Sequence, residues 1–240
     1  MKILLLSTAL SLMLAVSPWA AENVRIDGAQ FDFGQVPANA TLTHRVWIHA
    51  VGTDTLRLSE VKTGCGCLTA PLAADTILPG DSLSLVFYWQ TRGLVGNRNQ
   101  SAYLYIRPGS FPYEILLKGN VVTPEARPAS VSWSPAIVVL AGAPGVGLSG
   151  SFGLANQAGE KLTDSLVEAG PGIALEIPAT VDSGQSIVGQ VKVGKEQATI
   201  RYEGSVTLEL TGNRSQACRV SIPVQFGDFS FRPVFTTKKK

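Results

Sequence analysis

The chain has 240 residues, and its 20 Lys and Arg nearly balance its 18 Asp and Glu, so the formal net charge is only +2. This balance argues against a nucleic-acid-binding protein, because such proteins carry a strongly basic surface. Two His and three Cys also leave too few ligands for a metal cluster based on histidine. The length suits two domains of about 100 residues each.

Residues 1–21 have the pattern of a cleaved signal peptide, with Lys2 at the start, an apolar run over residues 3–16 and small residues at the end. A run of about 14 apolar residues is short for a membrane span. We therefore expect a periplasmic or secreted protein with no membrane span after removal of the signal. In such an oxidising compartment, paired thiols tend to form disulfides.

Downstream of the signal, apolar residues alternate with polar ones, and Gly, Pro, Asp or Asn separate the runs, which is typical of short β-strands. The predicted strands cover residues 31–36, 43–50, 56–62, 82–89, 101–106, 111–117, 137–140, 147–155, 186–193 and 205–210. Because no convincing helical stretches lie between them, they predict antiparallel β-sandwiches.

An internal repeat divides the chain. Residues 78–83 match residues 182–187, and residues 101–106 match residues 205–210, both 104 positions later. We therefore predict an all-β protein with two tandem immunoglobulin-like antiparallel β-sandwiches after a cleaved signal peptide. The predicted order is a signal peptide (1–21), a first sandwich (22–122), a proline-containing linker (123–130), a second sandwich (131–232) and a basic tail (233–240).

The sequence Thr63-Gly64-Cys65-Gly66-Cys67 follows a predicted strand. The glycines give the loop backbone freedom to bring the two thiols together. Cys65 and Cys67 could form a local disulfide, bind a metal ion through two thiolates, with copper as the candidate cofactor, or include a redox-active nucleophile. The second half has Ala169-Gly170-Pro171-Gly172 at this place, so the fold itself does not require the cysteines.

The remaining cysteine and the two histidines are isolated in the sequence. Cys218 alternates in phase with Val220 and Ile222, which predicts a buried, unpaired thiol. His44 and His49 are five positions apart on one predicted strand, so they face opposite sides and cannot both serve one small site. We expect each histidine at a solvent-exposed or edge position, with a copper-ligand role as the alternative.

Four residues of the first half alternate out of phase with its predicted core: Arg45, Trp47, Tyr103 and Tyr105. Aromatic and arginine side chains of this kind are typical of protein interfaces, so we predict them as the partner-binding surface. The alternative is that they pack under loops or against the second sandwich.

The motif search favours a protein without catalytic activity. Residues 145–150 spell G-x-G-x-x-G, but glycines interrupt the helix that a dinucleotide site needs. Hydrolase, P-loop and zinc-protease motifs are lacking. We therefore predict no catalytic or cofactor-binding residues and no enzyme activity.

Several elements of residues 28–122 match a known pattern: Phe31-Asp32-Phe33-Gly34, the strand 43–50 leading to Gly52, Leu56-Arg57-Leu58, the loop 63–67, Pro79-Gly80 and Gly119. This stretch resembles the bacterial domain-of-unknown-function family of exported Hydin-type immunoglobulin-like modules with a Cys-Gly-Cys motif. The resemblance implies an immunoglobulin-like sandwich outside the cytoplasm and no established enzyme activity.

The leading hypothesis is a non-enzymatic exported protein that binds or scaffolds an envelope or secreted protein through edge strands and outward aromatic residues. One alternative is a thiol site at Cys65 and Cys67 for copper binding or redox exchange. Another is a pilus-type periplasmic chaperone, because the alternating strand 111–117 suits pairing with a partner's strand.

Overall fold

The computed structural model describes residues 23–123, 130–214 and 216–227, and every regular element in these ranges is a β-strand. None of the described segments forms an apolar helix of membrane-spanning length. The first half, residues 23–123, contains β1 (Val24–Asp27), β2 (Gln30–Pro37), β3 (Thr41–Ala50), β4 (Leu56–Thr63), β5 (Leu68–Thr69), β6 (Thr76–Ile77), β7 (Ser82–Gln90), β8 (Gly96–Arg107) and β9 (Tyr113–Val122). The second half, residues 130–227, contains β10 (Val131–Ser134), β11 (Val138–Val139), β12 (Ala141–Ala143), β13 (Gly147–Asn156), β14 (Leu162–Ala169), β15 (Ile173–Glu176), β16 (Thr180–Val181), β17 (Ser186–Val193), β18 (Tyr202–Thr211) and β19 (Cys218–Phe226).

All ten predicted strands are present. The largest differences in their bounds lie in the hairpin of β8 and β9, where β8 begins earlier and β9 ends later than the alternation predicts. Phe111 does not begin β9 and is 84% exposed at the hairpin tip. Pro112 follows it and has no backbone N–H to donate to a strand ladder, so the strand begins only at Tyr113.

The first half is a sandwich of two sheet layers. One layer has the strand order β1-β3-β7-β5, and the other contributes β2-β9-β8-β4-β6. Alternate side chains of both layers point inward and form one hydrophobic core. Its largest members are fully buried: Trp89, Phe33, Phe87, Leu42 and Ile48.

The second half repeats this strand order. One layer is β10-β13-β17-β15, and the other contains β16-β14-β18-β19, with β11 pairing parallel to β19 as β2 does to β9. Both equivalent strands also contain a β-bulge, in β4 between Leu58 and Glu60 and in β14 between Leu166 and Glu168, but by strand register the bulge of β14 lies two positions further along. A second hydrophobic core surrounds Trp133. β12 has no counterpart in the first half.

The two halves share one sheet, which the sequence did not predict. β2 and β19 pair in parallel at Gln35 and Val220. This contact joins the layer that contains β2 in the first half to the layer that contains β19 in the second half, which gives one sheet of ten strands. The all-β, sandwich-like fold class is thus confirmed, whereas the boundaries of the two sandwiches stay a prediction. The signal peptide (1–21), residues 124–129 of the linker and the basic tail (233–240) lie outside the described residues.

Candidate functional site

The two halves meet where β3 extends beyond its neighbour β1. β1 pairs only with residues 47–50 of β3, so the preceding part of β3 has a sheet edge without a strand partner. Ser205 of β18 covers this edge. The backbone N–H of Thr43 donates to Ser205 Oγ at 2.9 Å, the backbone N–H of Ser205 donates to Thr43 Oγ1 at 3.1 Å, and both residues are buried. Since each buried N–H left unpaired would cost about 1–3 kcal/mol, these bonds hold the second half on the β3 edge.

The carboxylate of Glu168 on β14 makes the second contact with this edge. Its Oε1 accepts the backbone N–H of Arg45 at 2.7 Å, and its Oε2 lies 2.6 Å from His44 Nδ1. His44 Nε2 donates to the carbonyl oxygen of Gly28 at 2.7 Å, and the ring stacks on Phe31. Because a carbonyl oxygen only accepts hydrogen bonds, Nε2 carries a proton, and Nδ1 is the ring nitrogen that contacts the Glu168 carboxyl group.

His44 does lie at the edge of its sheet, but the expected solvent exposure is wrong, since the residue is only 3% exposed. The physical reason is the docking of the second half, which supplies a carboxylate from 124 positions away and removes the ring from water. His49 lies on the opposite face, as its spacing predicts. Its ring nitrogens bond to Ser82 Oγ at 2.6 Å and to Asp27 Oδ2 at 2.9 Å.

The four residues predicted as one partner surface do not lie together. Trp47 is 40% exposed on the outer face of the β1-β3-β7-β5 layer. Arg45 lies between Trp47 and the junction, with its guanidinium 6.0 Å from the Trp47 ring centroid and its Nε buried without a hydrogen-bond partner. Tyr103, which is 36% exposed, and the half-buried Tyr105 lie on the outer face of β8, in the other layer. Since the two layers pack core to core, their outer faces point in opposite directions.

Cys65 and Cys67 form a disulfide in the loop between β4 and β5, with their Cα atoms 5.2 Å apart. Both residues are half-exposed. Neither Gly64 nor Gly66 has a positive φ, so the loop does not use the backbone freedom that we expected from its glycines. Of the three alternatives, the disulfide is the form present here.

The equivalent turn of the second half packs against the first half. In both turns the first glycine donates its N–H to a serine carbonyl of the neighbouring strand, Gly64 to Ser101 at 2.9 Å and Gly170 to Ser205 at 2.8 Å. A Cβ on Gly170 would lie only 2.8 Å from Thr43 Oγ1. The second turn is therefore part of the junction, whereas the cysteine loop is free of such a contact.

Cys218 is a free thiol, as predicted, but it is half-buried rather than fully buried. Burial raises the pKa of this thiol. The residue lines a polar cleft of about 680 Å³ beside the junction, together with Arg98, Lys118, Asn120 and Arg219. Within the described ranges, no group of three or more His, Cys, Asp or Glu side chains is placed to hold a metal ion.

The residues that hold the junction were missed by the sequence analysis. Glu168, Ser205 and Ser221 lie on strand faces that point away from the core, where polar side chains usually indicate solvent. One usable signal was the run of small hydroxyl residues at such positions, Ser205, Thr207 and Ser221. Small polar side chains suit close contact with another backbone, whereas solvated strands more often carry long charged ones.

Comparison with known proteins finds one family model that matches part of the chain. Residues 24–121 match the model of DUF1573, described as a protein of unknown function. This is nearly the same stretch as the resemblance in residues 28–122, while its Hydin type and Cys-Gly-Cys motif stay predictions. No curated protein matches the chain.

Three solved structures illustrate the structural likenesses. A protein of unknown function from Porphyromonas gingivalis W83 is 9% identical, with 85% of this chain and 100% of that chain covered and a TM-score of 0.35. The CupB2 chaperone of Pseudomonas aeruginosa is 8% identical, covering 82% and 99%, with a TM-score of 0.32. The ASH / PapD-like domain of human CEP192 is 11% identical, covering 48% and 99%, with a TM-score of 0.36.

Proposed function

We propose that the chain is an exported, periplasmic protein that binds an envelope or secreted protein and serves as a scaffold, without catalysing a reaction. Trp47 carries this proposal, because 40% of a large aromatic side chain is exposed on the outer face of a well-packed sheet. Tryptophan loses little conformational entropy on binding and is enriched among the residues that dominate protein interfaces.

The surroundings of Trp47 keep the ring accessible. Its cross-strand neighbour on β7 is Ser84, whose small side chain does not cover the ring. The His49 ring lies 6.5 Å away at an interplanar angle of 24°, and the Arg45 guanidinium lies on the other side. A ring fixed in this way is preorganised, which lowers the entropic cost of binding.

A capture experiment tests the proposal. The immobilised protein should retain an envelope or secreted protein from extracts of the native host, and Trp47→Ala should reduce the retained amount about tenfold or more, as expected for a dominant interface residue. Val188→Ala is the matched control, since Val188 is also exposed but lies on β17 of the second half. Capture that is unchanged by Trp47→Ala would remove this face from consideration.

A thiol–disulfide exchange site is the second candidate, favoured by the half-exposed Cys65–Cys67 disulfide. An incoming thiolate would attack one sulfur, form a mixed disulfide and release the other sulfur as a thiolate. Copper binding would require the reduced pair, since thiolates are the ligands that Cu(I) prefers. Counting free thiols with and without reductant, together with metal analysis of the natively exported protein, tests both. If the two cysteines neither exchange with thiols nor bind metal, the disulfide has only a structural role.

The pilus-type chaperone is not favoured by the position of its proposed strand. β9 pairs with β8 over its first nine residues and with β2 over residues 116–122. A strand flanked on both sides has no free edge along those residues for a partner's strand. Only the first three residues of β9 lack a second neighbour.

A further inference from the structure

The face by which the second half docks onto β3 has an equivalent in the first half. We call the residues of the second half the docked face: Glu168, Ser205, Thr207 and Ser221. Their equivalents by strand register form the free face: Lys62, Ser101, Tyr103 and Glu114. Lys62 lies opposite Tyr103 as Glu168 lies opposite Thr207, and Tyr103 lies opposite Glu114 as Thr207 lies opposite Ser221.

The docked face is covered by the first half of the same molecule. Ser205, Thr207 and Ser221 are at most 1% exposed although they point away from the core of their own half. Ser221 Oγ donates to the carbonyl oxygen of Phe33 at 2.7 Å, and Ser205 and Glu168 accept the two backbone N–H groups of the β3 edge. This face of the fold is therefore suited to covering a sheet edge.

The free face is open to solvent in the described structure. Lys62, Tyr103 and Glu114 are exposed, and Ser101 is half-buried. Glu114 Oε1 accepts hydrogen bonds from Ser101 Oγ at 2.9 Å and from the Tyr103 hydroxyl at 3.5 Å. Lys62 makes no ion pair with any described residue, so its ammonium group is available as a donor.

We propose that the free face binds the exposed edge of a β-strand of another protein, and that this strand carries a carboxylate where β3 carries His44. The charge difference between the two faces supports this partner. Glu168 contacts the His44 ring and accepts the backbone N–H of Arg45, whereas Lys62 at the same place can only donate. This inference rests on the proposed binding function and identifies the class of partner.

A second copy of the chain does not offer the required strand. Its β3 edge is covered by its own second half. In β13, the equivalents of His44 and Arg45 are Gly150 and Ser151, which carry no carboxylate, and the residues before them, Gly147–Ser149, are paired with β12. β3 also carries a histidine instead of a carboxylate at the position opposite the Lys62 ammonium group, which disfavours the contact.

Two peptides test the inference with the full-length protein. Each is fluorescein-labelled and has the sequence of residues 39–47, one unchanged and one with His44→Glu. We expect saturable binding of the glutamate peptide, measured by fluorescence anisotropy, and at least about threefold weaker binding of the unchanged peptide, the ratio that an exposed ion pair typically gives. Lys62→Glu should reverse the preference, and Tyr103→Ala should weaken both complexes. Lys195→Glu, at an exposed position of the second half, is the control and should change neither.

Absence of saturable binding of the glutamate peptide would overturn the inference, and so would equal binding to the wild-type and Lys62→Glu proteins. Trp47→Ala separates this outcome from the proposed function, because Trp47 lies on the opposite outer face. If the peptides fail while capture from envelope extracts still depends on Trp47, the proposed function stands and only the strand-edge partner is lost.

Discussion

The two halves place different side chains at equivalent points of one strand order. At the docking face, the second half has Glu168 where the first has Lys62. Inside the sandwich, Leu58 is 1% exposed in the first core, while its equivalent Asp164 is half-buried in the second. The equivalence follows from the backbone, since Leu58 N–H donates to the carbonyl of Asp75 as Asp164 N–H does to that of Ala179. One fold thus carries an internal interface in one half and an open surface in the other.

The difference indicates how such a fold acquires a docking function. The strand order and a hydrophobic core are common to both halves, whereas the outward faces carry different side chains. In the second half those outward positions hold small hydroxyl groups and one carboxylate that satisfy the β3 edge. In the first half they hold longer charged and aromatic side chains that remain in water.

Reversing the charge of Glu168 should have the largest effect. Glu168→Lys removes the acceptor of the Arg45 N–H and places an ammonium group against that N–H and the buried His44 ring, and we expect a loss of about 3 kcal/mol in the free energy of unfolding, as for a buried pair that loses one partner. Urea denaturation measures it. The matched control is Lys62→Glu on the free face, which should change stability by less than about 0.5 kcal/mol. Equal effects of the two changes would contradict the assignment of docked and free faces.

Removing the disulfide tests whether the cysteine loop stabilises only the first half. Cys65→Ser together with Cys67→Ser opens a very short loop, so we expect a loss of about 1.5 kcal/mol from the chain-entropy relation. Urea denaturation of the wild type with and without reductant should reproduce the difference. A loss above about 4 kcal/mol would mean that the fold requires the cysteines, although the second half has the same turn without them.

Asp164→Leu should make the second core more like the first. Asp164 Oδ1 is buried without a hydrogen-bond partner, and burial raises the pKa of this carboxyl. A raised folded-state pKa means that the neutral acid favours the folded state, a contribution fully present below the unfolded value of about 3.9 and lost as the pH rises through the folded-state pKa. We therefore expect Asp164→Leu to stabilise by about 1 kcal/mol at pH 7 and by less at pH 3, measured by thermal unfolding. A gain that is largest at pH 3 would refute this account.

Thiol reactivity should give the smallest but most direct contrast between the halves. Without reductant, a thiol reagent at pH 8 should detect one thiol per chain, Cys218, because Cys65 and Cys67 are paired. The raised pKa of Cys218 leaves little thiolate, so its reaction should be several-fold slower than in denaturant. Detection of three thiols in the untreated protein would show that the first half holds a reduced pair instead.

The strands and the repeat could be predicted from the sequence because both are local properties. Residues 82–89 alternate with period two, and β7 follows that alternation. The disulfide was one of three alternatives, since spacing brings two thiols together but does not define their oxidation state. The partner surface could be predicted only as a set of outward residues, because alternation shows which side chains leave the core but not which sheet layer carries each strand.

The amino-acid pattern alone determined that this is an all-β protein with a repeated order of short strands, because alternating side chains and turn residues act over a few positions. Only the tertiary structure decided that His44 is buried against Glu168, that Trp47 and Tyr103 lie on opposite outer faces, and that β2 and β19 join two layers into one sheet. These outcomes depend on contacts between residues as far as 188 positions apart, such as the bond from Ser221 to Phe33. Such contacts form when an unpaired strand edge is covered by a complementary face from a distant part of the chain. Because no short stretch of sequence contains both partners, local sequence patterns do not predict them.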